Sequence, residues 1–280
     1  MGVVKIVTDS TASLPRELCQ ALGITVVPIP IQFGATTFTD GVDPAEQFYE
    51  YLMDSPAPPT TSTPSPGVFM ETYRRLLAEG AEVVSIHLMG SKSTLLETAR
   101  LSARLLETNC VHVIDSGSVS MGLGLLVILG ARMAAAGKSA AEIVTAVQAA
   151  TQQVDLFVAI REMTQLRKSG RVSLGAALLA SAFSIKPILS ISQSVIDVAD
   201  KVRSWPKALE RITQLAHERV DGTKVTLAVV HTNAKTDAEA LLAQIRERFQ
   251  TVEVMIAEAG AGLAAHAGSG ALGVVLLRHD

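Results

Sequence analysis

At 280 residues the chain is long enough for two domains, because a single hydrophobic core usually stops growing near this size. Hydrophobic residues make up 48% of it, charged ones 18% and aromatics 4%, so a large aliphatic core with room for a buried cavity is expected. The formal charge of −3 excludes a nucleic-acid footprint, which needs a basic face.

In the first half, short β-branched runs alternate with helical patterns. Residues 3–8, 24–31, 83–88 and 111–115 read as strands, and residues 15–22, 44–53, 66–77 and 94–106 as helices. Pro15, Pro44 and Pro66 each suit a first helical turn, where a missing N–H costs nothing. This alternation predicts an α/β fold with a mostly parallel sheet flanked by helices. Residues 55–66 hold five prolines and several hydroxyls; they form a stiff loop at a functional edge or a plain linker, not a helix. The apolar run 123–129 stops at Arg132, far short of the roughly 20 residues of a membrane-spanning helix. The charge-free run 172–185 stops at Lys186-Pro187 in the same way, as a buried helix or a cavity wall.

Ser139-Ala140-Ala141-Glu142 is a capping-box pattern opening a helix to about Gln153. The domain boundary is placed there, giving an N-terminal α/β domain (1–152, with the proline-rich loop 55–66) and a C-terminal α+β domain (153–280). Strands are expected at 156–160, 187–191, 195–202, 225–230, 252–257 and 272–277. Ser192-Gln193-Ser194 is short enough for a hairpin, so the second sheet is expected to be mixed or antiparallel. Cys19 and Cys110 are two isolated thiols, and the N-terminus lacks a charged leader with an apolar core, so a reducing, cytoplasmic setting is expected.

Several familiar motifs fail in context. Gly268-Ser269-Gly270-Ala271-Leu272-Gly273 matches a dinucleotide fingerprint by letter, but a strand follows it and only seven residues remain. Gly137-Lys138-Ser139 resembles the end of a phosphate loop, yet six helical residues separate it from Gly130 instead of four. No metal-ligand spacing and no nucleophile elbow are present, so no metal and no catalytic residue is assigned.

Four polar clusters do fall at strand ends: Thr8–Pro15, Thr60–Ser65, Ser91–Thr94 and Asp115-Ser116. Each alone is an ordinary cap or Asx turn. Together, beyond the carboxyl ends of strands, they form a candidate polar ligand site. Their motifs resemble the DegV family from residue 3 to about 277. Thr8-Asp9-Ser10-Thr11-Ala12-Ser13-Leu14-Pro15 is similar to its T-D-S-T-A-x-L-P, and Asp40-Gly41-Val42-Asp43 to its D-G-V-D. Thr61-Ser62-Thr63-Pro64-Ser65 resembles T-S-Q-P-S, and Asp115-Ser116 its D-S element. Leu166–Ser173, Ile185-Lys186-Pro187-Ile188 and His266-Ala267-Gly268-Ser269-Gly270 resemble L-K-K-G-G-R-I-S, I-K-P-I and H-x-G-P-G.

The resemblance implies a lipid-binding protein that encloses one long-chain fatty acid, such as palmitate, between two domains. It further implies presentation of the carboxylate to a separate ATP-dependent fatty acid kinase, with no cofactor and no catalysis by the chain itself. The carboxylate would be held by Thr61 and Ser93, with Ser62, Thr94, Arg171 and His266 as neighbours. Ala176, Leu178 and Leu179 are expected in the tunnel wall, or in ordinary helix packing. The family's L-S-G-T-Y is altered here to Lys92-Ser93-Thr94-Leu95-Leu96, which loses a glycine beside the anion site. His266 and Arg171 also fit structural roles, a cap and a surface cation. Lys201, Arg203 and Lys207 around Trp205 read as a docking patch for an acidic partner or as a solvated face. Transient contact with a membrane surface stays open. The competing expectation is a hydrolase or transferase acting on a small acyl or phosphorylated compound, with His266 as acid/base.

Overall fold

The computed structural model describes residues 2–55, 58–172 and 185–279. The fold is α/β: a parallel sheet flanked by helices, a mixed sheet, and a third, small antiparallel sheet.

The parallel sheet has the order β2-β1-β6-β7, from β1 (Val4–Asp9), β2 (Ile24–Val27), β6 (Glu82–His87) and β7 (Val111–Asp115). Residues Val83 to His87 are all buried, as expected of a parallel strand covered on both faces. The chain leaves β1 for β2 on one side and returns to β6 on the other. The crevice beyond the carboxyl ends of β1 and β6 is therefore a topological switch point, where open α/β sheets bind ligands. Helices α1 (Arg16–Leu22), α3 (Pro66–Ala78) and α4 (Leu95–Leu105) accompany this sheet, with α2 (Ala45–Asp54) serving the small one.

The expected single strand at 24–31 is two strands. Pro28, which has no N–H to donate, breaks the ladder between β2 and β3 (Ile29–Phe33). The second piece joins β4 (Thr36–Asp40) and the two-residue β5 (Thr60–Thr61) in the order β4-β3-β5. The proline-rich segment thus delivers Thr61 to a sheet edge, opposite Ile31. Phe33, Phe38 and Phe48 pack edge to face on this sheet, with centroids 5.5 to 5.6 Å apart.

Helix α5 (Met121–Ala135) contains the intensely apolar run. It is buried along most of its length because it lies between the two large sheets, against β1 and β6 on one side and β8 (Val154–Ala159) and β13 (Leu272–His279) on the other. The capping box is present: Ser139 accepts from the Glu142 N–H and opens α6 (Ala140–Ala150). After α7 (Met163–Ser169), the chain builds β9 (Lys186–Ser192), β10 (Val195–Val202), β11 (Lys224–His231) and β12 (Thr251–Glu258). With β8 and β13 these form a six-stranded sheet, β10-β9-β8-β13-β11-β12, in which only β11 and β12 pair in parallel. Helices α8 (Trp205–Val220) and α9 (Lys235–Ile245) cover its outer face through Ala208, Ile212, Ala238 and Leu241. Its inner face, with Leu156, Ile191, Val230 and Val275, joins the core of the parallel sheet. Helix α10 (Ala261–Ala267) lies between β12 and β13 in sequence and packs on the small sheet. Among the described residues no helix is long and apolar enough to cross a membrane. The run 173–184, with Ala176, Leu178 and Leu179, lies outside the described residues.

Candidate functional site

A cavity of about 870 Å³ lies at the switch point. One wall is the inner face of the six-stranded sheet: Leu156, Val158, Leu189, Ile191, Ile196 and Val230 all line it. Period-two alternation puts these side chains on one face, which is why one long apolar surface arises from four strands, with Gly273 of β13 among them. Opposite stand Ile29, Leu88, Leu95 and Val119, from segments that leave the strand ends of the other sheets. The volume is near the top of the range of about 300–1,000 Å³ usual for ligand pockets.

The polar lining comes from loops. Thr61, Ser62, Ser93, Thr94, Arg171 and His266, the six polar residues singled out from the sequence, all border this cavity. Thr61 Oγ1 and His266 Nε2 share a hydrogen bond of 3.2 Å across 205 positions of chain. The imidazole is held neutral: burial, and then the positive charge of Arg171, lower its pKa from 6.5 to about 4. Arg171 itself is exposed, and its N–H donates to Ser169 Oγ at 3.3 Å. Ser62 is tied to β3, where its N–H donates to the Pro30 carbonyl at 3.0 Å.

Ser93 Oγ accepts the N–H of Leu95, the first residue of α4, at 3.1 Å while bordering the cavity. Thr94 stands where the resembled family has glycine. Its φ of −79° and ψ of −3° are ordinary helical values, so this position does not require glycine's conformational freedom. Its hydroxyl shares a 2.7 Å hydrogen bond with Thr63 Oγ1, joining the loop of Thr61 to that of Ser93.

Sequence reading singled out Asp115 as a motif residue without a task. In the structure its carboxylate accepts the N–H groups of Gly90 at 3.2 Å and Gly117 at 2.9 Å, so it fixes the loop leading to Ser93. The β9–β10 turn clasps the same loops, with Ser91 Oγ donating to the Ser194 carbonyl at 2.7 Å and the Ser194 N–H to the Gly117 carbonyl at 2.8 Å.

A second polar array, not legible in the sequence, lies in the core. His87 Nδ1 is 2.9 Å from Asp9 Oδ2, and its Nε2 is 2.7 Å from Ser85 Oγ, which in turn meets Tyr73 Oη at 2.9 Å. The order matches nucleophile, base and orienter. Ser85, His87 and Asp9 are nevertheless completely buried, and neither Ser85 nor His87 lines the large cavity. The array satisfies buried polar atoms. Of the basic patch, Lys201, Arg203 and Lys207 are exposed, while Trp205 lies under the Arg161 guanidinium at 4.7 Å. No group of three or more His, Cys, Asp or Glu side chains among the described residues is placed to hold a metal ion.

Comparison with known proteins places this arrangement. A DegV domain-containing protein of Streptomyces coelicolor is 35% identical over 275 residues, spanning 98% of each chain. The structure of a DegV family protein from Thermus thermophilus, described as binding fatty acid, matches with a TM-score of 0.92 at 25% identity over 99% of both chains. DegV of Bacillus subtilis, described as a fatty acid binding protein, matches with a TM-score of 0.88 at 26% identity over 100% of both. The DegV family pattern itself runs through residues 3–279, and the chain belongs to the DegV family.

Proposed function

We propose that this protein binds one long-chain fatty acid of the size of palmitate, its tail along the aliphatic sheet face and its carboxylate at Thr61 and Ser93. The cavity carries the reading: it is large, aliphatic on the sheet side and rich in hydroxyls where the loops of β5 and β6 meet. The fatty-acid-binding relatives of Thermus and Bacillus support it. A small pocket of about 140 Å³ also borders Thr61, Lys168, Arg171 and His266, the setting acid/base catalysis would use, whereas the long aliphatic wall of the larger cavity favours a carrier.

Burying about 14 methylenes at about 0.8 kcal/mol each contributes on the order of 11 kcal/mol before association costs. The tail alone therefore gives tight binding, and the head group has only to avoid an unpaired buried carboxylate. The hydroxyls of Thr61 and Ser93 donate to it, with Ser62 and Thr94 beside them and neutral His266 orienting Thr61. Arg171 adds positive potential at the rim. Hydroxyl donors leave a carboxylate oxygen free, whereas a bidentate guanidinium would occupy both. We therefore infer that a separate ATP-dependent kinase phosphorylates the bound acid: the carboxylate attacks the terminal phosphorus of ATP, ADP leaves, and the chain itself performs no catalysis. The division into residues 1–152 and 153–280 belongs to the same proposal, since every strand of the six-stranded sheet lies after residue 153.

Delipidated protein titrated with palmitate tests the site. The double substitution Thr61→Ala, Ser93→Ala removes two donors, and a loss of about 100-fold in affinity with unchanged circular dichroism is expected. Undiminished affinity in the double variant would place the carboxylate elsewhere.

A further inference from the structure

The small antiparallel sheet carries Thr61 and packs against the helix that bears His266. Thr61 stands on β5 opposite Ile31 of β3, and Asp40 ends β4 opposite Ile29 of the same strand. Asp40 is only 4% exposed and does not line the large cavity. It accepts Ser10 Oγ at 2.9 Å and the N–H groups of Ala261 at 2.8 Å and Gly262 at 3.1 Å. Those N–H groups open α10 and have no partner within the helix. Ser10 is fixed in turn, because its Oγ accepts the Ile29 N–H at 3.2 Å.

Gly260 makes the approach feasible. A Cβ there would come within 2.8 Å of Asp40 Oδ2 and 3.0 Å of the Ser10 carbonyl oxygen. Ala264 and Ala265 pack the helix onto the core of Ile31, Phe38 and Phe48. The helix bears His266 in its last turn, and there Nε2 meets Thr61 Oγ1 at 3.2 Å. One sheet thus holds the hydroxyl directly and the imidazole through a carboxylate at the far end of a two-turn helix.

We infer that Asp40 is a positioning residue for the head-group site, docking α10 on the sheet that carries Thr61 and so setting the imidazole against the hydroxyl. The inference rests on the fatty-acid reading above. It gives the D-G-V-D and T-D-S-T-A segments a task, as Asp40 and Ser10 serve the site without touching the ligand.

The test compares palmitic acid with hexadecanol, which has the same chain and no carboxylate, on delipidated full-length protein. Asp40→Asn keeps the side chain's shape but turns its amide N–H groups toward one of the two backbone donors, Ala261 or Gly262. It is expected to weaken palmitate about tenfold, to leave hexadecanol within about twofold, and to shift the nitrogen-15 resonance of the His266 imidazole. A purely structural role predicts equal losses for both ligands; that result, or no loss for either, overturns the inference. Ser10→Ala removes one donor to Asp40, with an expected change of about threefold in the acid-to-alcohol ratio. Should the asparagine variant not fold, an unchanged ratio in Ser10→Ala decides against Asp40. Wild-type protein that fails to bind palmitate removes the fatty-acid reading alone. The His266 resonance still reports on positioning in that event, and an unshifted signal in both variants overturns it.

Discussion

His266 is the residue whose environment makes the sharpest forecast. Its folded-state pKa of about 4 lies below the ordinary value of 6.5, so between these pH values the unfolded chain binds more protons than the folded one. Its contribution to stability is complete above pH 6.5 and is lost as the pH falls toward 4, on the order of 3 kcal/mol at most. His266→Gln should flatten this part of the stability curve relative to wild type. Urea unfolding at several pH values measures the difference, and parallel curves would mean that the imidazole is not held neutral. The identity of this histidine was legible in the sequence from its place before Gly268-Ser269-Gly270. Its bond to Thr61 was not, because 205 positions separate the two and no local pattern encodes that contact. Asp40 and Asp115 show the same limit: a carboxylate whose task is to hold distant backbone N–H groups leaves no periodic trace.

At the level of single elements, strands and helices were legible wherever local chemistry decided them. The β9–β10 hairpin follows from a short polar link between two strand-forming runs, and the capping box from Ser139 and Glu142. The small sheet was not legible. Its β5 has two residues and lies among prolines, and β4 pairs only through β3, so neither has a periodicity of its own. The hairpin also offers a stability test. Gln193 and Ser194 have φ of 49° and 65°, as a type I′ turn requires, yet neither is the residue type that favours this region. Gln193→Asn with Ser194→Gly should raise stability by about 1 kcal/mol, read as a higher urea midpoint at unchanged slope. A lowered midpoint would show that the wild-type side chains hold the clasp on Ser91 and Gly117 by more than backbone bonds.

Across the whole molecule, the alternation of strands and helices foretold a parallel sheet and the short Ser192–Ser194 link a mixed one, and both are present. What no run of sequence specifies is the space between them. That cavity exists because residues from five strands of one sheet face loops from the other two, a juxtaposition set only by tertiary packing. A ligand filling it binds the folded chain and not the unfolded one, so occupancy raises stability by mass action. Delipidated protein should therefore melt several degrees below protein reloaded with palmitate, by about 4 kcal/mol at a thousandfold excess over Kd. Coincident melts would mean that palmitate does not enter the folded state. The central claim, one acyl chain in one cavity, is tested most directly by native mass spectrometry of the purified protein. The account predicts a single added mass of a long-chain fatty acid, released on denaturation and absent from the Thr61→Ala, Ser93→Ala variant. Protein that carries no acyl chain, and takes none up when palmitate is supplied, would contradict it.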